Sequence, residues 1–249
     1  MASWYESEFI SKGIWLAISG VLGYVSKSVV THVKKIDPVK KMWNLKDVKK
    51  LTICMSASHR VNTGQHIKAT TGVGQVKAFG YIIESIGSAY DITCQNVFLS
   101  DEDFKARMGD DLILLGGKKH NEKTRKFLEK IDKLGVVSCD SDDEISWKVE
   151  GSERVYIGET TGEKVVKDYG LIIRMKNPYS SFDASPASVC LFAGCHTYGT
   201  IAAAKYFTEE YIKQHSLLSK IHQSVFIIVE CDVEEENPIN IKVVAKHEF

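Results

Sequence analysis

The sequence predicts an α/β fold: a mostly parallel sheet flanked by helices, a C-terminal β-hairpin, and a preceding N-terminal helix. Three observations point to it. Short apolar runs recur at 51–55, 112–115 and 188–194, too short for helices and suited to buried strands. Two of them stop at glycine and open into helical patterns: Gly116-Gly117 before 122–134, and Gly194 before a stretch containing Ala202-Ala203-Ala204. The chain then closes with an apolar run at 224–231, an acidic turn through Glu234-Glu235-Glu236-Asn237-Pro238, and an alternating run at 239–245, which together read as an antiparallel hairpin.

Bulk composition narrows the function classes. A chain of 249 residues holds one large or two small domains, and 44% apolar content is enough for a real core. The formal net charge is zero, which argues against a protein built mainly to hold nucleic acid. The six cysteines are scattered, mostly in apolar runs, with no CxxC pair, and read as free thiols in a reducing compartment. No metal or cofactor is expected. The carboxylates Asp140, Asp142, Asp143 and Glu144 have no fixed ligand spacing and read as a solvated turn.

Residues 1–35 form the first of three expected segments. Positions 9–25 are the most apolar part of the chain and carry one charge, Lys12. A bilayer core needs about 20 apolar residues, with about 17 as the lower bound, so this stretch is marginal. Trp15 and Tyr24 stand towards its ends, where interfacial aromatics are common, and Gly13, Ala17, Gly20 and Gly23 suit close helix contacts. Glu6 and Glu8 precede it, while Lys27, Lys34, Lys35, Lys40 and Lys41 follow. By the positive-inside rule this orients a single span in the inner (cytoplasmic) membrane with the C-terminal part in the cytoplasm. The alternatives are an interfacial amphipathic helix and a soluble packing helix, which leaves the whole chain cytoplasmic. Residues 36–50 read as a basic linker broken by Asp37-Pro38, and 51–249 as the ligand-binding domain.

Within that domain, a polar loop follows the first strand, and Thr70 or Thr71 is expected to cap a helix that buries Val76, Phe79, Ile82, Ile83 and Ile86. Gly72-x-Gly74 is only part of a dinucleotide fingerprint, since Lys77 stands where the third glycine belongs. A strand is expected at 91–99, and short strands at 145–149, 154–157 and 169–175. Ligands of open α/β sheets bind outside the carboxyl ends of the strands, where helix N-termini offer free amides. The candidate ligand-binding residues are therefore Gly72 and Gly74, the Gly116–Arg125 turn with Gly117, Lys118, Asn121 and Arg125, then Asn177, and the last junction with Gly194, Thr197, Gly199 and Thr200. Lys118 and Arg125 supply charge for phosphate; Asn121, Asn177 and Thr200 supply directional hydrogen bonds.

No Gly-x-Ser-x-Gly elbow, Walker A loop or HExxH motif occurs. Adjacent Cys195-His196 does not make a nucleophile–base pair, and no catalytic residue is assigned.

The motifs Leu-Leu-Gly-Gly-x-x-x-Asn at 114–121 and Ala-Gly-x-x-x-x-Gly-Thr at 193–200 resemble Rossmann-like nucleotide-sensing domains, loosely of the SLOG kind. In bacteria these are coupled to membrane segments in nucleotide-signalled antiviral defence. The resemblance covers the layout from Leu51 to Phe249. It implies a membrane-tethered sensor or effector that binds a nucleotide-derived signal and alters the assembly of its N-terminal helices as a homo-oligomer. Related enzymes carry a longer GGxxGxM-type loop followed by a glutamate; here Lys118-Lys119-His120 stand instead, which favours sensing over hydrolysis. Two rivals stay open: a nucleotide- or nucleoside-processing enzyme of the glycosidase kind, with Glu122 as its carboxylate, and a ligand-free oligomeric scaffold.

Overall fold

The computed structural model describes residues 24, 27, 36–58, 61–62, 64, 67–68, 70–92, 97–138, 144–149, 152–180, 187–214 and 224–248. The expected N-terminal span falls almost wholly outside them. Among the described residues no helix is long and apolar enough to cross a membrane.

In chain order the elements are α1 (Asp37–Trp43), β1 (Thr52–Met55), a two-residue ribbon of β2 (Val61–Asn62) and β3 (Ile67–Lys68), α2 (Val73–Gly87), β4 (Val97–Leu99), β5 (Leu112–Leu115) and α3 (Glu122–Ile131). Then come β6 (Val137–Ser138), β7 (Glu144–Val149), β8 (Ser152–Ile157), β9 (Glu159–Thr161), β10 (Lys164–Lys176), β11 (Ser188–Gly194), α4 (Thr197–Lys205), β12 (Val225–Glu234) and β13 (Asn237–Glu248). The main sheet runs β13-β12-β10-β11-β5-β1-β4, with β9 also paired to β10. Strands β11, β5, β1 and β4 are mutually parallel; β9, β10, β12 and β13 join by antiparallel pairing. The α/β sheet with flanking helices agrees with the sequence pattern. The antiparallel part extends beyond the one hairpin expected, because β10 is thirteen residues long and serves as template for three neighbours.

The apolar runs are buried on both faces because each face has its own cover. Ile53, Ile113, Leu115, Ile172, Phe192 and Ile227 point to one side, against α1, α2 and α4. Their neighbours Cys54, Leu112, Leu114, Ile173, Leu191 and Phe226 point to the other, against Phe127, Leu128 and Ile131 of α3 and against Ile145 and Trp147 of the small β6-β7-β8 sheet. Fully burying one such side chain contributes about 1.5–3 kcal/mol. Cys54, Cys190, Cys195 and Cys231 are buried and in no disulfide. Burial pushes the thiols of Cys54, Cys190 and Cys231 up to about 12, so they pack as small apolar groups.

Two local expectations change. Residues 36–50 are docked on the domain. Val39, Met42 and Trp43 are buried, Trp43 packs edge-on to Phe207 at 5.2 Å between ring centroids, and its indole N–H donates to Ser85 Oγ on α2 at 3.0 Å. One apolar face among the lysines was enough to make this stretch part of the core. Helix α2 begins at Val73 with Gly72 as its cap, because the Thr71 hydroxyl donates to the Ser56 carbonyl instead. Val76 is consequently 52% exposed, and Ala78, Ile82 and Ile86 form the buried stripe.

Helix α4 lies against β10 at backbone contact. A Cβ on Gly170 would run into the Gly199 carbonyl oxygen, and one on Gly199 into the Tyr169 carbonyl. The following turns, Tyr206–Tyr211, widen to π-helical geometry and bring Phe207 and Tyr211 under α1.

Candidate functional site

The connections leaving β1 and β5 diverge. The chain after β1 covers one face with α2 and goes out to edge strand β4; the chain after β5 covers the other face with α3 and proceeds towards β11. The carboxyl ends of β1 and β5 therefore meet at a topological switch point, where open α/β sheets form a crevice. A cleft of about 300 Å³ lies there. The β1–α2 junction contributes Ser56, Ser58, Gly72 and Gln75, the β5–α3 junction Gly117, Lys119 and His120, and the β11–α4 junction Gly194, Cys195, His196, Thr197 and Thr200.

Close backbone packing shapes this cleft. Gly116 has φ +98°, a left-handed conformation that suits glycine, and a Cβ there would strike the Ser56 hydroxyl. Its amide donates to the Phe192 carbonyl at 2.8 Å, tying the β5 turn to β11. A Cβ on Gly74 would collide with the Thr197 hydroxyl, so the first turns of α2 and α4 touch. Ser100 Oγ receives the Ala57 amide at 3.0 Å and donates to the His120 carbonyl at 3.1 Å, joining two of the three loops.

The three helix N-termini differ in what they offer. At α3 the first-turn amides of Lys123 and Thr124 both donate to Asn121 Oδ1 at 3.0 Å, and the side-chain Nδ2 of Asn121 donates to the Leu115 carbonyl at 3.0 Å. Asn121 is wholly buried and its polar atoms are used internally. At α4 the amides of His196 and Gly199 donate to the carboxylate of Asp168, reaching up from β10, which also accepts the Tyr169 amide. Burial holds the Asp168 carboxyl above the ordinary carboxylate range, outweighing its amide donors and the nearby His196. Helix α2, capped by Gly72, has no side-chain cap hydrogen bond among the described residues. Gly72 and Gln75 line the cleft with Lys119, which sets the positive dipole end of α2 at this rim; the Gln75 and Val76 amides donate to the Gly72 carbonyl.

Of the residues expected from sequence to bind ligand, Gly72, Gly117, Gly194, Thr197 and Thr200 line the cleft. Gly74, Gly116 and Gly199 sit behind its wall as close-approach glycines. Lys118 is half-buried beside the lining residues and is not one of them; Lys119 takes that place. Asn121 is a buried cap, and Arg125 is exposed on α3. Asn177 lies at the opposite rim, where it donates to the carbonyls of Met108 (2.8 Å) and Asp110 (2.7 Å) and accepts the Tyr179 amide. Ser56, Ser58, Gln75, Lys119, His120, Cys195 and His196 also line the cleft, beyond the ligand groups expected from sequence. Ser56 carried a usable signal as the first polar residue after a buried strand. Gln75 had none, because its place depends on where α2 starts.

The groups considered for chemistry are separated. Cys195 lines the cleft, but its thiol donates to the Tyr156 carbonyl at 3.4 Å. Glu122 is exposed and paired with Lys126 at 2.7 Å, which holds its carboxyl below the usual range. No group of three metal-ligating side chains comes together among the described residues, and His59 and His66 lie outside them. Compared with known proteins, the chain matches no family model and no curated sequence.

Proposed function

We propose that the chain is a ligand-operated sensor whose switch-point cleft binds the phosphate of a nucleotide or nucleotide-derived signal. One observation carries this reading. Among the described residues, the amides at the start of α3 meet Asn121 and those of α4 meet Asp168, whereas α2 has no side-chain cap, and it opens beside Lys119 into a cleft whose described lining includes no carboxylate. An anion supplies what that terminus lacks. The volume, about 300 Å³, is at the lower end for small-molecule sites and matches one nucleotide unit.

The route to an output is short. Helix α2 carries Ser85, which holds the Trp43 indole of α1, and α1 follows the N-terminal apolar segment in the sequence. Ligand seated at one end of α2 then biases how α1, and the segment before it, is held. In this proposal the apolar segment tethers the domain to the inner membrane and assembles with other copies. Sensing is preferred over nucleotide processing because the carboxylate that such an enzyme needs, Glu122, stands on the surface away from the cleft.

Thermal unfolding of the full chain against a panel of nucleotides tests the reading. A ligand at about 100 times its Kd should add about 2.7 kcal/mol of stability. Lys119→Ala, by weakening binding about tenfold, should remove about half of that gain and Arg125→Ala should leave it. No stabilisation across the panel, or loss with Arg125→Ala alone, would contradict the proposed site. Carbonate-washed membranes free of the protein would remove the tether.

A further inference from the structure

Residues 36–50 fix five lysines at the amino-terminal end of the sheet, opposite the cleft. The segment is pinned across that rim at four places. The Tyr90 hydroxyl, just past the end of α2, donates to the Lys40 carbonyl at 3.1 Å, and Arg174 Nε of β10 donates to the Met42 carbonyl. The Ser188 hydroxyl, at the first residue of β11, donates to the Asn44 carbonyl at 3.4 Å, and Asp111, just before β5, accepts the amides of Lys46 and Asp47. Val39, Met42 and Trp43 are buried against the domain, which leaves Lys40, Lys41, Lys46, Lys49 and Lys50 exposed. The two aspartates of the segment are half-buried, and Asp47 caps the next turn by accepting the Lys49 amide. Five lysines against two aspartates give this stretch a net charge of +3 in a chain whose total is zero. Because the backbone is already docked, gathering these charges at a surface needs little further ordering.

We infer that the amino-terminal rim is an interaction surface for an anionic lipid bilayer, with the lysines of 36–50 on the phosphate headgroups and the cleft turned away from the membrane. The inference deepens the tether reading above and rests on it for where the bilayer lies. Ten residues separate the apolar stretch at 9–25 from this segment, a reach of at most about 35 Å, so a tethered domain keeps the rim close to the headgroups. A lysine near such a surface improves partitioning about fivefold, and the effect fades beyond a Debye length. The zero net charge of the whole chain and the nearness of the apolar stretch favour a bilayer over nucleic acid.

The test is flotation and lysine footprinting of the full chain on two kinds of vesicle, phosphatidylcholine alone and phosphatidylcholine mixed with phosphatidylglycerol. A water-soluble acylating reagent labels exposed amines, and mass spectrometry reads each site. On the anionic vesicles Lys41 and Lys50 should react about fivefold or more slowly than on the neutral ones, while Lys77 and Lys164, exposed towards the cleft end, should not change. Raising the salt from about 0.1 M to about 1 M should abolish the protection. Lys41→Glu combined with Lys50→Glu should return Lys40, Lys46 and Lys49 to their reactivity on neutral vesicles, with the melting temperature unchanged. Flotation on anionic vesicles alone, reversed by salt, would uphold the surface and replace the span by peripheral binding. Flotation on both vesicles with equal lysine reactivity would overturn the surface and leave the tether standing, and this comparison needs no variant. Protection of the same lysines by an RNA duplex, with none on anionic vesicles, would assign the rim to nucleic acid and overturn the inference. Absence of flotation on either vesicle would remove the tether and the surface together.

Discussion

The two rims of the parallel strands are built from the same residue types and end in opposite conditions. At the amino-terminal rim of β5, the buried carboxylate of Asp111 accepts the amides of Lys46, Asp47 and Ser188, and Asn177 closes the loop beside it. At the carboxyl-terminal rim, buried Asp168 and Asn121 perform the same kind of capping on α4 and α3. The difference lies in what remains. At the carboxyl rim α2 has no side-chain cap among the described residues, Gln75 Oε1 is buried without a partner, and glycines let the loops approach closely around the cleft. A conspicuous buried Asn or Asp is therefore a poor marker of a site in this fold; the leftover donors and acceptors mark it.

Breaking the closed rim should have the largest effect. Asp111→Ala strands three main-chain amides, each costing about 1 kcal/mol or more, and should lower stability by about 3 kcal/mol or more in urea unfolding. The nearby Trp43→Ala leaves a large cavity and should cost about 3–5 kcal/mol. Nucleotide affinity of whatever folds should be unchanged in the first case, because Asp111 faces away from the cleft. A loss of affinity there would break the division between the rims.

Asp168→Asn should cost less, about 1–3 kcal/mol at neutral pH, since one carboxamide oxygen replaces two carboxylate oxygens. Its pH dependence sharpens the point. Burial raises the folded-state pKa of Asp168, so its contribution to stability is fully present below the ordinary carboxylate pKa and is lost as pH rises through the raised value. Stability of the wild-type chain should therefore fall over that rise, and the fall should be shallower in Asp168→Asn. An identical slope in urea unfolding at several pH values would contradict this origin.

At the open rim, Lys119→Ala removes a charge-assisted contact and should weaken nucleotide binding about tenfold with little change in melting temperature. A drop in stability as large as the drop in binding would make Lys119 a structural group. The smallest effect belongs to the β12–β13 turn, where Glu235 and Glu236 both have left-handed backbones, φ +46° and +59°. Replacing the pair by Asn-Gly suits that turn and should stabilise the chain by about 1 kcal/mol without altering binding.

Much of this architecture was legible in the sequence because it rests on local pattern. The runs at 112–115 and 188–194 became β5 and β11, and the glycine junctions led to one cleft because strands in a parallel sheet share a carboxyl rim. Residues 36–50 misled because the lysines hide the apolar triplet Val39, Met42 and Trp43, which only a packed partner reveals. The site residues failed for a related reason. Asn121, Arg125 and Asn177 have the right chemistry, but whether a polar group is spent internally is a tertiary property. Gln75 and Lys119 became visible once the caps of all three helices were accounted for.

Hydrogen–deuterium exchange on the full chain, with and without saturating AMP, tests the central claim most directly. Protection is expected at the amides of 72–75 and 117–120, with those of Lys46, Asp47 and Ser188 at the opposite rim unchanged. Protection confined to the opposite rim, or none at α2, would contradict the assignment of the open rim as the ligand site.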